Sequence, residues 1–109
     1  MTLDEYQKLA KGTADFSESI PAWVYLTLGI AGESGEVADK IKKIIRNQDG
    51  NFTDDNKEEI KKELGDVMWY ISQLSEELGF SLEDVAQTNL AKLADRKNRG
   101  VIKSAGDNR

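Results

Sequence analysis

The sequence predicts an all-α, four-helix bundle-like fold, and three observations carry that expectation. Apolar residues recur at three- and four-residue spacing over long stretches. The alternating β-branched and aromatic runs that would mark strands are absent. Capping residues stand just ahead of the periodic stretches, with glycines or polar links after them.

The first helix starts at Thr2, where Thr2 with Glu5 fits a capping box. Leu3, Tyr6, Leu9 and Ala10 give it an apolar face, and Gly12 marks its end. A polar link, TADFSES, follows. The second helix opens over Ser19 to Pro21, with proline early, where its missing N–H costs little. It runs to about Asn47, with Trp23, Leu26, Ile30, Val37, Ile41, Ile44 and Ile45 as core candidates. After the loop QDGNFT, Thr53 or Asp54 caps a third helix. Its core candidates are Ile60, Leu64, Val67, Met68, Ile71, Leu74 and Leu78, and Gly79 ends it. Ser81 with Asp84 opens a fourth helix through Leu82, Val85, Leu90 and Leu93 to about Asn98. The tail, about residues 99–109, has no periodicity and reads as irregular.

At 109 residues the chain reads as one domain, residues 1–109, with a modest core. The apolar supply is thin for a monomer, so the core is expected to be completed by oligomerisation. Charged residues make up 32% and the mean hydropathy is −0.57, which reads as a soluble protein. No apolar run approaches the ~20 residues of a membrane span, and the polar, acidic start reads as no signal peptide. The absence of Cys excludes thiolate sites and fits a cytoplasmic location. The absence of His removes the usual zinc ligand and the usual general base. With a net charge of −5, the surface suits nucleic acid poorly, because affinity there rests on phosphate neutralisation.

Two acidic pairs share one spacing: Glu33 and Glu36 in GESGE, Glu63 and Asp66 in KELGD. At i,i+3 on a helix, both carboxylates of a pair lie on one face. Spacing alone means little in so acidic a chain. Asp15/Glu18, Glu36/Asp39 and Asp55/Glu58 share it, and such charges usually form a solvated face. Context separates the two chosen pairs. Residues 21–32 carry no charge, and Gly29, Gly32 and Gly35 recur every third residue beside Glu33 and Glu36. Gly65 sits between Glu63 and Asp66. Each helical glycine costs about 1 kcal/mol against alanine, so close approach of another helix or a ligand is expected. Antiparallel packing would then bring four carboxylates together, their repulsion relieved by a cation. Oxygen-only ligation suits Mg²⁺, or Mn²⁺, with water completing the shell. A di-iron bundle would need Glu-x-x-His, which the chain lacks. The loop beginning at Asp49 fails as an EF-hand, with Asp54 at the turn glycine and Ile60 at the bidentate glutamate.

Tyr70 lies one turn after Asp66, either as a half-buried core aromatic or as a hydroxyl supporting a carboxylate or ligand. Trp23, Trp69 and Phe16 are more often core than stacking platforms. Lys92 and Arg96, with Asn89 one turn before Lys92, read either as a solvated basic face near a helix end or as phosphate contacts. No GxxxxGK[ST] loop is present.

The order and surroundings of these motifs, LGIAGESGEVADKIKK, KKELGDVMWYISQL and NLAKLADRKNRGVIKSAGDNR, resemble the all-α nucleoside triphosphate pyrophosphohydrolases of MazG type. The resemblance spans about residues 20–109. It implies a small single-domain member that hydrolyses (deoxy)nucleoside triphosphates to monophosphate and pyrophosphate, in control of a nucleotide pool or in house-cleaning. It implies that Glu33, Glu36, Glu63 and Asp66 hold Mg²⁺, and that Lys92, Arg96 and Asn89 meet the triphosphate. Tyr70 matches a supporting position in some relatives, and a homodimer or homotetramer with sites near subunit contacts is the expected assembly. The uncharged stretch with Trp23 is a candidate base pocket, and Glu36 or Glu33 a candidate general base. The alternative is a non-catalytic helical module that keeps the acids as a structural metal or nucleotide site. A coiled-coil adaptor is disfavoured, since glycines interrupt any heptad run.

Overall fold

The structure, a computed structural model, describes residues 1–17 and 19–100. It contains four helices among them: α1 (Leu3–Lys11), α2 (Ala22–Gln48), α3 (Asp54–Leu78) and α4 (Leu82–Asn98). Residues 101–109, most of the expected irregular tail, lie outside the described residues, as does Glu18.

Local chemistry sets the helix ends. The hydroxyl of Thr2 accepts from the Glu5 backbone N–H at 3.1 Å, and that of Ser81 accepts from Asp84 at 3.0 Å. Thr53 and Asn56 form a reciprocal capping box, both bonds at 3.1 Å. Gly79 closes α3 at φ 85°, where a side chain would be strained. Pro21 sits one residue ahead of α2 rather than inside it. The turn after α2 puts Asp49 at φ 53° and Gly50 at φ 77°, both left-handed.

The α2–α3 pair is the centre of the molecule and runs antiparallel. Contacts climb α3 as they descend α2: Lys40 meets Glu59 and Glu63, and Gly29 meets Tyr70. Next to this hairpin, α1 packs on α3 and α4, and α4 on α1 and α3; neither packs against α2 among the described residues. Gln7, buried on α1, ties these parts together. Its Nε2 donates to the Phe80 carbonyl at 3.2 Å and its Oε1 accepts from the Leu82 N–H at 2.7 Å.

Among the described residues, only Ala10, Leu26, Ile44 and Leu82 are buried apolar side chains. Of the expected α2 core, Ile30, Val37 and Ile41 are half-buried, while Trp23 and Ile45 are exposed. On α3, Leu64, Met68 and Leu78 are exposed, and Ser72, Gln73 and Ser75 are buried instead. Small hydroxyl side chains can occupy that face because they fold back onto their own helix. Ser72 donates to the Trp69 carbonyl and Ser75 to that of Ile71, both at 2.8 Å. No described helix is long and apolar enough to cross a membrane.

Candidate active site

Antiparallel register places the two acidic motifs opposite each other. One carboxylate oxygen from each of Glu33, Glu63 and Asp66 lies within 4.8 Å of the others. Glu36, one turn after Glu33, is exposed and stands beside this group of three rather than in it.

The cluster is electrostatically costly. Burial, followed by the charges of Asp66, Glu63 and Glu36, raises the carboxyl of Glu33 above its ordinary value. Against this, the ammonium of Lys40 sits 3.6 Å from Glu63 and 3.8 Å from Glu59. Three converging carboxylates, their repulsion only partly offset, are a donor set that a hard divalent cation fits, through oxygen alone. The other i,i+3 acids behave differently. Asp39 is held down to about 2 by hydrogen bonds from Lys43 and then Lys42, at 2.7 and 3.0 Å. Glu58 pairs with Lys61 at 2.7 Å. Asp15/Glu18 has one member outside the described residues.

An aromatic wall flanks the acids. Glu33 and Asp66 share a hollow of about 300 Å³ with Trp69 and Tyr70. Tyr70 and Trp69 meet edge to face at 5.0 Å, and Tyr25 lies 6.2 Å from Tyr70 and stacks on Phe16 at 5.1 Å. The indole N–H of Trp69 donates to Thr13 Oγ1 at 2.8 Å, which fixes the ring's orientation. A hydrogen bond with Tyr25, then burial, pushes the Tyr70 hydroxyl up to about 12. At neutral pH the hydroxyl is protonated, as a tyrosine's ordinarily is, and the bond with Tyr25 holds it in place. On α1, burial and then the charge of Asp66 raise Tyr6 as well.

The glycines divide. A Cβ on Gly29 would fall within the Tyr70 ring, which is the expected close approach. Gly32, Gly35 and Gly65 have nothing within 4 Å of such a Cβ. Gly32 and Gly35 face solvent, so the hairpin contact does not explain them.

The remaining candidates lie elsewhere in the chain. Trp23 is 55% exposed. Asn89 and Lys92 line a larger hollow of about 600 Å³ with Phe80, Asp84, Val85 and Thr88, which contains no motif acid. Arg96, one turn after Lys92, is buried at 4% exposure. Tyr25, Lys40 and Glu59 join the site without having been singled out by the sequence. The signal was present: Tyr25, Gly29, Glu33, Glu36 and Lys40 follow one face of α2 at helical spacing, as Glu59, Glu63, Asp66 and Tyr70 do on α3.

Comparison with known proteins adds the family. The family model described as "MazG nucleotide pyrophosphohydrolase domain" matches residues 24–101. Gene 37 protein of Mycobacterium phage L5 is 47% identical over 114 residues, with all of both chains covered. No solved structure matches.

Proposed function

The chain belongs to the MazG nucleotide pyrophosphohydrolase family, and from that premise we propose that it hydrolyses (deoxy)nucleoside triphosphates to monophosphate and pyrophosphate with Mg²⁺. Mn²⁺ is the expected substitute. We read residues 1–109 as one such domain, acting on the cytoplasmic nucleotide pool. The observation that carries this reading is the convergence of Glu33, Glu63 and Asp66 beside Tyr70 and Trp69.

Those three acids would hold the cation, which when bound would offset phosphate charge and polarise phosphoryl oxygens. The chain's own residues do the rest. Glu36 stands beside the ligand group and accepts a proton from the attacking water. Water oxygen bonds to phosphorus, and the anhydride bond between the α and β phosphates opens. The protonated Tyr70 hydroxyl donates to substrate or to a motif carboxylate. Trp69, held by Thr13, supplies an aromatic face within the acid-lined hollow, in preference to the distant and exposed Trp23.

The basic residues of α4 fit a shared site. Since α4 does not pack on α2, we assign Lys92 and Asn89 to triphosphate contact across a subunit interface, with Arg96 buried behind them. A homodimer or homotetramer would supply that contact and cover the exposed apolar side chains.

The decisive experiment is an assay of the full chain across dNTPs and NTPs, with and without Mg²⁺, resolving pyrophosphate from phosphate. Mg²⁺-dependent pyrophosphate release, abolished in a folded Glu63→Ala protein, is the expected result. Metal-induced thermal stabilisation with no product would instead favour the non-catalytic module.

A further inference from the structure

The geometry points to Lys40 as a residue that binds the terminal phosphates of the substrate, and hence the departing pyrophosphate; this rests on the activity proposed above. Lys40 lies one turn after Glu36 and two turns after Glu33, so its stem leaves the helix face that carries the motif acids. Its ammonium is 3.6 Å from Glu63 Oε1 and 3.8 Å from Glu59 Oε2. Both separations exceed the ~2.7–2.9 Å of a charge-assisted hydrogen bond. The side chain remains 31% exposed. Lys40 is therefore a cation held at the rim of the cluster by charge, on a flexible stem that can change partner.

Its surroundings suit an anion. Past Lys40 the α2–α3 groove opens into a hollow of about 190 Å³ lined also by Lys43, Asn47, Gln48 and Asn56, with Ile44 and with Glu59, the partner of Lys40. Lys43, Asn47, Gln48 and Asn56 carry N–H donors, against the single carboxylate of Glu59. On the opposite side of the acids is the hollow with Trp69 and Tyr70. The carboxylates thus have aromatic rings at one end and N–H donors at the other. A nucleoside triphosphate has the same polarity, with a flat base at one end and a polyanion at the other. The base end lies toward Trp69 and Tyr70, and the terminal phosphates toward Lys40. Glu63 serves both Lys40 and the cation site. Once its charge is shared with a divalent cation, its hold on Lys40 weakens and the ammonium turns to phosphate.

The test compares wild type with Lys40→Met and Lys40→Arg by calorimetry, with Lys40→Gln as a second uncharged variant and circular dichroism as the folding control. The probes are inorganic pyrophosphate with Mg²⁺, the four deoxynucleoside monophosphates with Mg²⁺, and Mn²⁺ alone. Removing the charge should weaken pyrophosphate binding about tenfold, as expected for loss of a charged hydrogen-bond partner. Monophosphate binding should hold, Mn²⁺ should bind at least as tightly, and arginine should restore pyrophosphate binding to within about threefold. Unchanged pyrophosphate binding in both uncharged variants overturns the inference, as does a parallel loss of Mn²⁺ binding, which would make Lys40 only a prop for Glu63. A wild type that binds no pyrophosphate overturns it too. A wild type that binds pyrophosphate but turns over no nucleotide overturns the proposed activity and leaves the Lys40 comparison standing.

Discussion

The ring of Tyr70 lies on the backbone of Gly29, in the space that any side chain at that position would fill. This contact sets how closely α3 approaches α2 at the aromatic end of the groove. It also fixes Tyr70 beside Glu33 and Asp66. Gly29→Ala must push a packed ring aside, which is overpacking and costs about 1–3 kcal/mol. Urea unfolding should show that loss, and pyrophosphate release should fall with it as Tyr70 moves. Gly32→Ala is the control: nothing lies within 4 Å of its Cβ, so stability should hold or rise by up to about 1 kcal/mol from helix propensity.

That pairing also shows what the sequence could and could not reveal. Thr2, Thr53, Ser81 and Gly79 mark helix ends within a residue or so, because caps are settled between residues three apart. The acidic motifs are legible for the same local reason. The hairpin register is not local. It depends on the turn through Asp49 and Gly50 and on which side chains interdigitate, so Gly29 could not be told from Gly32 or Gly35. Periodicity likewise could not tell a face buried within the chain, such as that of Leu26 and Ile44, from one left exposed, such as that of Leu28. Nor could the spacing of Lys92 and Arg96 show that α4 avoids α2.

Glu33 makes the metal-free protein pH-sensitive, and the sign can be worked out. Its carboxyl is raised above the ordinary 4.5, by burial first and then by Asp66, Glu63 and Glu36. The folded chain therefore holds that proton more tightly than the unfolded chain does. The resulting stability is present below the ordinary value and is lost as pH rises through the raised one. Above the raised value the metal-free protein carries this repulsion. Glu33→Gln, a permanent mimic of the protonated form, should raise Tm at pH 7 in EDTA and flatten the decline of Tm across that window. Mg²⁺ should raise Tm strongly in the wild type and weakly in the variant. An unchanged Tm in EDTA would remove the repulsion argument.

The separation of Glu36 from the other three acids predicts a split in function. Glu33, Glu63 and Asp66 bring their oxygens together, and Glu36 stands beside them. Glu63→Gln should weaken Mn²⁺ binding about tenfold or more, as loss of a charged ligand does, and should abolish turnover with it. Glu36→Gln should keep Mn²⁺ affinity within a few-fold while kcat falls about 10²–10⁴-fold, the range for losing a general base. Manganese titration by electron paramagnetic resonance, run beside steady-state kinetics, separates the two. Equal metal loss in both variants would place Glu36 among the ligands and leave the proton acceptor elsewhere.

The proposed assembly can be tested in solution, because the core is thin and several apolar side chains are exposed. Among the described residues four apolar side chains are buried, while Leu28, Ile45, Leu64, Leu78 and Leu90 each expose more than half their surface. Fully burying one such side chain contributes about 1.5–3 kcal/mol, so covering several matches the whole stability of an ordinary domain, about 5–15 kcal/mol. If assembly covers them, folding and assembly are one equilibrium. Light scattering should give the mass of a dimer or tetramer, and Tm should rise with protein concentration. Leu28→Lys separates an assembled from a monomeric state. On a solvent-facing monomer surface the change should fall within about ±0.5 kcal/mol. In an interface it buries a charge without a partner, so both mass and Tm should drop. A monomeric mass together with a concentration-independent Tm would refute assembly and require this small core to hold the fold alone.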